Sequence, residues 1–267
     1  MLAAVACSKP SKTSENPSSN PSSNPASTAA TTPASNPVAA PSAPYTGKPS
    51  EFVQTVTASK PIAYFRLEST SGTSEVGGAA YTSTPSVTSS PGAPIKVPGN
   101  QCAVLNGKDG AITTTQKGGI TTAASIMAWV MLNSLPSKND HILYVAGISE
   151  SGNDFDLQFE RDDALRFFTS GGGAVEYKPD PATLAGTWHM IVATMDNDSK
   201  TRVLYWDGKL AKVDAVGGTP NKTGLFTIGE SPVFTGRFFN GSIDEVALWD
   251  RALSGAEVAK LYGSINP

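Results

Sequence analysis

Cysteine, histidine and charge are all scarce in this chain. Its two cysteines, Cys7 and Cys102, are too few for a disulfide framework or a cysteine zinc site. Cys102 alternates with Val104 in a short apolar run, which is the setting of a buried structural thiol. The two histidines, His141 and His189, have no motif-spaced nucleophile or second metal ligand beside them. Charged residues make up 16% of the chain and the net charge is −3, which argues against nucleic acid or anionic lipid as the main partner. No apolar run is long enough to span a bilayer as a helix.

What is abundant at the start is Ser, Pro, Ala, Thr and Asn. Residues 8–50 contain almost nothing else, with Tyr45 as the only aromatic residue and two Asn-Pro-Ser-Ser units in succession. Such a segment buries too little apolar surface to offset its ordering entropy, so a disordered tether is expected, spanning about 35–40 Å on average. Ahead of it, residues 1–7 place small residues directly before Cys7, which resembles a bacterial lipobox. The basic n-region and apolar run of a complete signal are missing, so 1–7 reads as a truncated signal segment. The expectation is lipid attachment at Cys7 and display at the bacterial cell envelope, with Ser8 after the cysteine favouring the outer membrane. A soluble, secreted chain is the alternative.

Residues 51–267 carry short apolar runs broken at close intervals by Gly, Pro, Asn and Asp, the pattern of many antiparallel strands. Ser125–Leu132 is apolar on both faces, as a central strand of a sandwich would be, and Thr187–Met195 behaves similarly. Arg202–Val213 holds a hairpin signal, with Asp207-Gly208 suited to a two-residue type I′ turn. In Asp154–Arg166, Phe155, Leu157 and Phe159 alternate inward and Asp162-Asp163 turn the chain. Near the C-terminus Asn240-Gly241 reads as a tight turn and Ser242–Trp249 as a strand. Ser254 and Glu257 then have capping-box spacing, Leu253 and Val258 that of a hydrophobic staple, and Gly263 sits where the helix would end. This is the one helix expected. The fold class is all-β, a two-sheet antiparallel jelly-roll sandwich with one short C-terminal helix.

Several of these pieces carry a family resemblance. Ala63-Tyr64-Phe65-Arg66-Leu67-Glu68 with Ser71-Gly72-Thr73, then Val104-Leu105-Asn106-Gly107 and Ala128-Trp129-Val130, follow one another along the chain. Trp188-His189 with Thr194 and Asp196, Leu204-Tyr205-Trp206-Asp207-Gly208, Ile228-Gly229 and Phe239–Tyr262 complete the order. Together they resemble the laminin-G-like domains of the concanavalin A-like lectin/glucanase superfamily. Phe65 stands where that pattern usually has Trp, and Glu68-Ser69 replaces an acidic pair. The resemblance implies a structural role for His189 and a core position for Phe239.

The superfamily includes glycoside hydrolases, which need a carboxylate pair. A retaining enzyme places nucleophile and acid/base about 5–5.5 Å apart, and an E-x-D-x-x-E strand achieves this because alternation puts all three on one face. Glu160-Arg161-Asp162 begins that pattern, but Leu165 replaces the final Glu. Asp244 and Glu245 are neighbours, so strict alternation puts them on opposite faces. No catalytic pair is expected. The resemblance implies instead one structural Ca²⁺, with Asp244 and Glu68 as ligands; hydrogen bonds from a backbone turn to Asp244 are the competing reading. Asp196-Asn197-Asp198 reads as an Asx-rich turn and Gly171-Gly172-Gly173 as a hairpin tip.

For a sugar or protein ligand, loop aromatics and cations are the candidates: Tyr177, Trp206, Phe234, Arg237 and Phe238. Trp129, Trp188 and Trp249 lie in strand patterns and are assigned to the core. The expectation is a non-enzymatic binding module for a glycan or cell-surface protein. A divergent glycan hydrolase or lyase, or a structural surface protein without a ligand, are the alternatives.

Overall fold

The computed structural model describes residues 50–95, 97–120, 122–150, 155–215 and 223–265. Cys7 and all of the expected tether except Ser50 lie outside the described residues. Two antiparallel sheets face each other. The first runs β14 (Lys209–Asp214), β13 (Thr201–Trp206), β12 (His189–Asp196), β7 (Ala123–Leu132), β16 (Asn240–Trp249), β5 (Gln101–Asn106) and β4 (Thr88–Pro91). A short β1 (Ala63–Phe65) also pairs with β16, beyond the end of its pairing with β5. The second sheet runs β11 (Gly173–Tyr177), β10 (Leu165–Thr169), β9 (Phe155–Phe159), β8 (Leu143–Ile148), β15 (Leu225–Ile228), β6 (Ile112–Lys117), β3 (Ala80–Ser83) and β2 (Ser71–Thr73). This is the all-β sandwich expected from the sequence, and β7 does lie at the centre of its sheet, between β12 and β16.

The space between the sheets is filled by Phe65, Leu105, Ile126, Leu157, Phe167, Ile191, Phe226, Phe239 and Ile243, all buried. Phe155, Leu157 and Phe159 point into it, as their alternation predicts. The outer face of the first sheet carries a second core of Tyr64, Met127, Trp129, Ala247 and Trp249. Two helices cover it. One is α3 (Gly255–Gly263), opened by the capping box in which Ser254 Oγ accepts from the Glu257 N–H and Glu257 accepts from the Ser254 N–H. Leu253 and Val258 of the staple are both buried here. Gly263 lies inside the helix, whose cap is Ser264 in a right-handed conformation, so no left-handed glycine closes it.

The other covering helix is α1 (Glu51–Ala58), which the strand-like Thr and Val content of its sequence concealed. Ser50 caps it by accepting from the Val53 N–H at 3.2 Å, and Phe52, Val53 and Val56 form its buried face. A single turn, α2 (Pro181–Leu184), precedes β12. No helix among the described residues is long and apolar enough to cross a membrane.

Asp207 and Gly208 both have positive φ, 48° and 76°, as the type I′ assignment requires. Asn240-Gly241 is not a turn: both residues begin β16 and pair with β5, and Gly241 also pairs with β7. Gly241 has φ 150°, and a Cβ there would lie 2.2 Å from the Met131 carbonyl oxygen, so the glycine is needed for close strand approach.

Candidate functional site

The helices cover the outer face of the first sheet and leave the outer face of the second sheet and the loops at the strand ends as the surfaces on which a ligand could act. At one end, the connection from β15 to β16 folds into a small hairpin. Glu230 bridges to Phe238, and the Ser231 N–H donates to the Arg237 carbonyl at 3.2 Å. The Arg237 guanidinium carbon lies 3.9 Å from the centre of the Phe234 ring, a cation–π stack. Arg237 Nη1 also donates to Gln158 Oε1 on β9 at 3.1 Å. Gln158 itself is buried and donates to Glu160 at 2.8 Å. The hairpin is thus pinned to the second sheet by its own arginine.

A cleft opens on each side of the hairpin. On the outer face of the second sheet, a cavity of about 400 Å³ has Thr113, Leu225 and Thr227 among its lining residues, with Glu230, Pro232 and Val233 of the hairpin and Glu150 beyond. Leu225 and Val233 are among the few exposed large apolar residues. At the rim, a second cavity of about 730 Å³ is lined by Asn106, Lys108, Lys138, Asn139, Asp140, His141, Phe238 and Asn240, with Thr235 and Gly236 of the hairpin. Its wall is cross-braced by amides: Asn133 Nδ2 donates to Asn240 Oδ1 at 3.0 Å, and Asn240 Nδ2 to Asn139 Oδ1 at 2.9 Å. His141 is held at both nitrogens, by Asp140 at 2.5 Å and the Phe238 carbonyl at 3.0 Å. Both volumes fall within the range of small-ligand sites.

The five ligand candidates from the sequence fall into two groups. Phe238 lines the rim cleft directly, while Phe234 and Arg237 stiffen the hairpin that separates the clefts. Tyr177 and Trp206 are elsewhere: their rings are 5.9 Å apart, both are half-buried against the main core, and Trp206 also packs 4.4 Å from the His189 ring. His189 is fixed by Asp207 at 2.8 Å and the Thr183 carbonyl at 2.9 Å. Burial opposes its charge, but those hydrogen bonds prevail and its pKa is raised. The asparagines, lysines and His141 of the rim were missed as a set because three loops far apart in sequence supply them. The polar run Lys138-Asn139-Asp140-His141 was the one local signal.

Of the carboxylates weighed for catalysis, Glu160 and Asp162 ion-pair with Arg166 at 3.3 and 3.0 Å, and Glu176 joins them at 2.6 Å. Asp244 and Glu245 differ from expectation in direction. A β-bulge interrupts β16 between Asp244 and Ala247, and Glu245 adopts φ 52°. Ile243 and Val246 face the main core on either side of the interruption. Both carboxylates therefore turn to the outer face, where they are fully buried.

There Glu245 accepts from the Tyr64 hydroxyl and from Arg66 Nε at 3.3 Å. Asp244 accepts from the Ala93 N–H at 2.8 Å, Asn100 Nδ2 at 3.0 Å and the Glu245 N–H at 2.9 Å. Glu68 pairs with Arg66 and accepts from the Gln101 N–H at 2.8 Å. Burial raises all three acids: Glu245 to about 7 despite Arg66 and Tyr64, Asp244 well above its usual range with Glu245 beside it, and Glu68 more modestly. This donor set does not fit a calcium ion. The Asp244 carboxylate already accepts three N–H groups, and a guanidinium lies between the other two carboxylates. Among the described residues no group of three His, Cys, Asp or Glu is arranged to hold a metal.

A laminin-G-type family model, described as the concanavalin A-like lectin/glucanases superfamily, matches residues 106–259. No curated protein matches the sequence. Among solved structures, the botulinum neurotoxin serotype D binding domain is similar at 11% identity and a TM-score of 0.61, over 78% of this chain and 52% of that one. A structure described by the dependence of botulinum neurotoxin type C cell entry on two ganglioside molecules is similar at 15% identity and a TM-score of 0.62, over 80% and 53%. The botulinum neurotoxin type G receptor binding domain is similar at 14% identity and a TM-score of 0.59, over 76% and 51%. At these identities the likeness is one of fold, and the chain spans about half the length of those domains.

Proposed function

As this chain belongs to the concanavalin A-like lectin/glucanases superfamily, we propose that its sandwich is a non-enzymatic binding module that takes a glycan, or a protein bearing one, at the β15–β16 hairpin. The observation that carries this is the hairpin itself, braced by the Arg237–Phe234 stack and standing between two open clefts. The rim cleft combines amides, a carboxylate, lysines and the half-buried Phe238 ring. Those groups suit a sugar, whose hydroxyls pair with amides and carboxylates and whose C–H face stacks on an aromatic ring. The structural neighbours are binding domains, one described by interaction with gangliosides, and this agrees with the reading.

The hydrolase or lyase reading is disfavoured by the carboxylates: Asp244 and Glu245 are fully buried, and Glu160, Asp162 and Glu176 are all engaged by Arg166. In this account the module is displayed at the bacterial envelope, held by lipid at Cys7 and spaced by residues 8–50. Metabolic labelling with a palmitate analogue, compared between wild type and Cys7→Ala, tests the anchor. Glycan-array binding by wild type and Phe238→Ala tests the recognition.

A further inference from the structure

Three separate stretches of chain meet at Arg66. Its Nη2 donates to the Glu68 carboxylate and to Asn100 Oδ1 at 3.2 Å, and its Nε to Glu245 Oε1 at 3.3 Å. Asn100 turns its other end to Asp244 at 3.0 Å, and Glu245 accepts from Tyr64 of β1. The meeting point is the place where one edge of β16 passes from pairing with β5 to pairing with β1. Gly92 is pressed tightly onto it: a Cβ there would come within 2.2 Å of Asn100 Nδ2 and 2.5 Å of Asp244 Oδ2. Arg66 is almost covered, with 11% of its side chain exposed.

We infer that Arg66 occupies the seat a divalent cation would take in such an oxygen-rich cluster, so that the chain's own guanidinium closes the sandwich and makes the domain independent of metal. The chemistry supports this in two ways. First, acidic side chains from segments distant in sequence are brought together, an arrangement that a positive charge at its centre stabilises. Second, the acceptors that would ligate calcium, Glu68, Asn100 Oδ1 and Glu245, all point at guanidinium nitrogens, while Asp244 already accepts three N–H donors. A calcium ion requires six to eight oxygen ligands and no competing donors. A guanidinium, with five N–H groups in a fixed plane, suits acceptors spread over three directions. The inference stands whether or not the hairpin binds a glycan.

The test is thermal unfolding of the full chain in EDTA and in millimolar calcium, for wild type, Arg66→Lys and Arg66→Met. Wild type and Arg66→Lys, which keep the positive charge, are expected to melt at the same temperature in both buffers. Arg66→Met is expected to melt several degrees lower in EDTA and to recover part of that loss in calcium, because the vacated seat leaves oxygen ligands facing one another. Calcium stabilisation of the wild type would overturn the inference, as would an Arg66→Met protein no more responsive to calcium than wild type. If Arg66→Met fails to fold, the wild-type and Arg66→Lys pair decides: indifference to calcium in both supports the inference, and a response in either sinks it.

Discussion

Asp244 and Glu245 are adjacent in the chain, yet both side chains leave the same face of β16. The extra residue of the bulge, carried at φ 52° by Glu245, is what turns them together. A left-handed backbone at a non-glycine residue costs about 1–2 kcal/mol. The ion pair with Arg66 and the hydrogen bond from Tyr64 offset that strain.

Glu245→Ala should therefore destabilise the domain by about 3 kcal/mol, because it leaves the Arg66 Nε–H and the buried Tyr64 hydroxyl without their acceptor. Tyr64→Phe should cost only about 1 kcal/mol. Glu245→Gly should be milder than Glu245→Ala by roughly 0.5 kcal/mol, since glycine relieves the φ strain but not the lost pair. Urea denaturation of the three variants checks the order; equal losses for Ala and Gly would show that the bulge carries no strain.

The His189–Asp207 pair predicts a pH dependence. The folded-state pKa of His189 is raised above 6.5, so the pair's contribution is complete below pH 6.5 and is lost as pH rises through the raised value. Melting temperatures across pH 5.5–9 should fall in this window for wild type and show a flatter profile in Asp207→Asn. Parallel profiles for the two proteins would refute the assignment.

Arg202 predicts how the open side of the sandwich is held. It is completely buried on β13 and donates to Thr169 Oγ1 at 2.8 Å, the Gly173 and Gly172 carbonyls at 2.6 and 2.9 Å, and Asp214 at 2.7 Å. It thereby ties the edge of one sheet to the glycine hairpin of the other. Arg202→Met should cost about 3 kcal/mol, and Arg202→Lys nearly as much, because a single ammonium cannot fork to four acceptors. Chemical denaturation distinguishes this from a rim ion pair, for which lysine would substitute freely.

The sequence disclosed those parts of the fold that local chemistry dictates. Asp207-Gly208 announced its turn because both positions need positive φ, and Ser254 with Glu257 announced a helix start because the reciprocal bonds require that spacing. Helix α1 escaped notice because Thr55, Val56 and Thr57 favour strands intrinsically, whereas its capping by Ser50 and the burial of Phe52 and Val56 against the first sheet override that preference. The Asp244–Glu245 direction escaped because a bulge leaves no mark on the pattern until the neighbouring strands are in place. The rim cleft escaped for a longer-range reason: Asn106, Asn139 and Asn240 meet only after three loops converge.

Wild type, Phe238→Ala, Asn139→Ala and an exposed distant control, Lys212→Ala, should be titrated against whichever oligosaccharide gives the strongest signal on a glycan array. Removing the Phe238 ring or the Asn139 amide from the rim cleft should weaken affinity by about tenfold or more, the equivalent of about 1.4 kcal/mol, with both variants still cooperatively folded and no turnover of the sugar. The control should bind as wild type does. Undiminished affinity in both rim variants, or silence of the wild type across the array, would contradict the account.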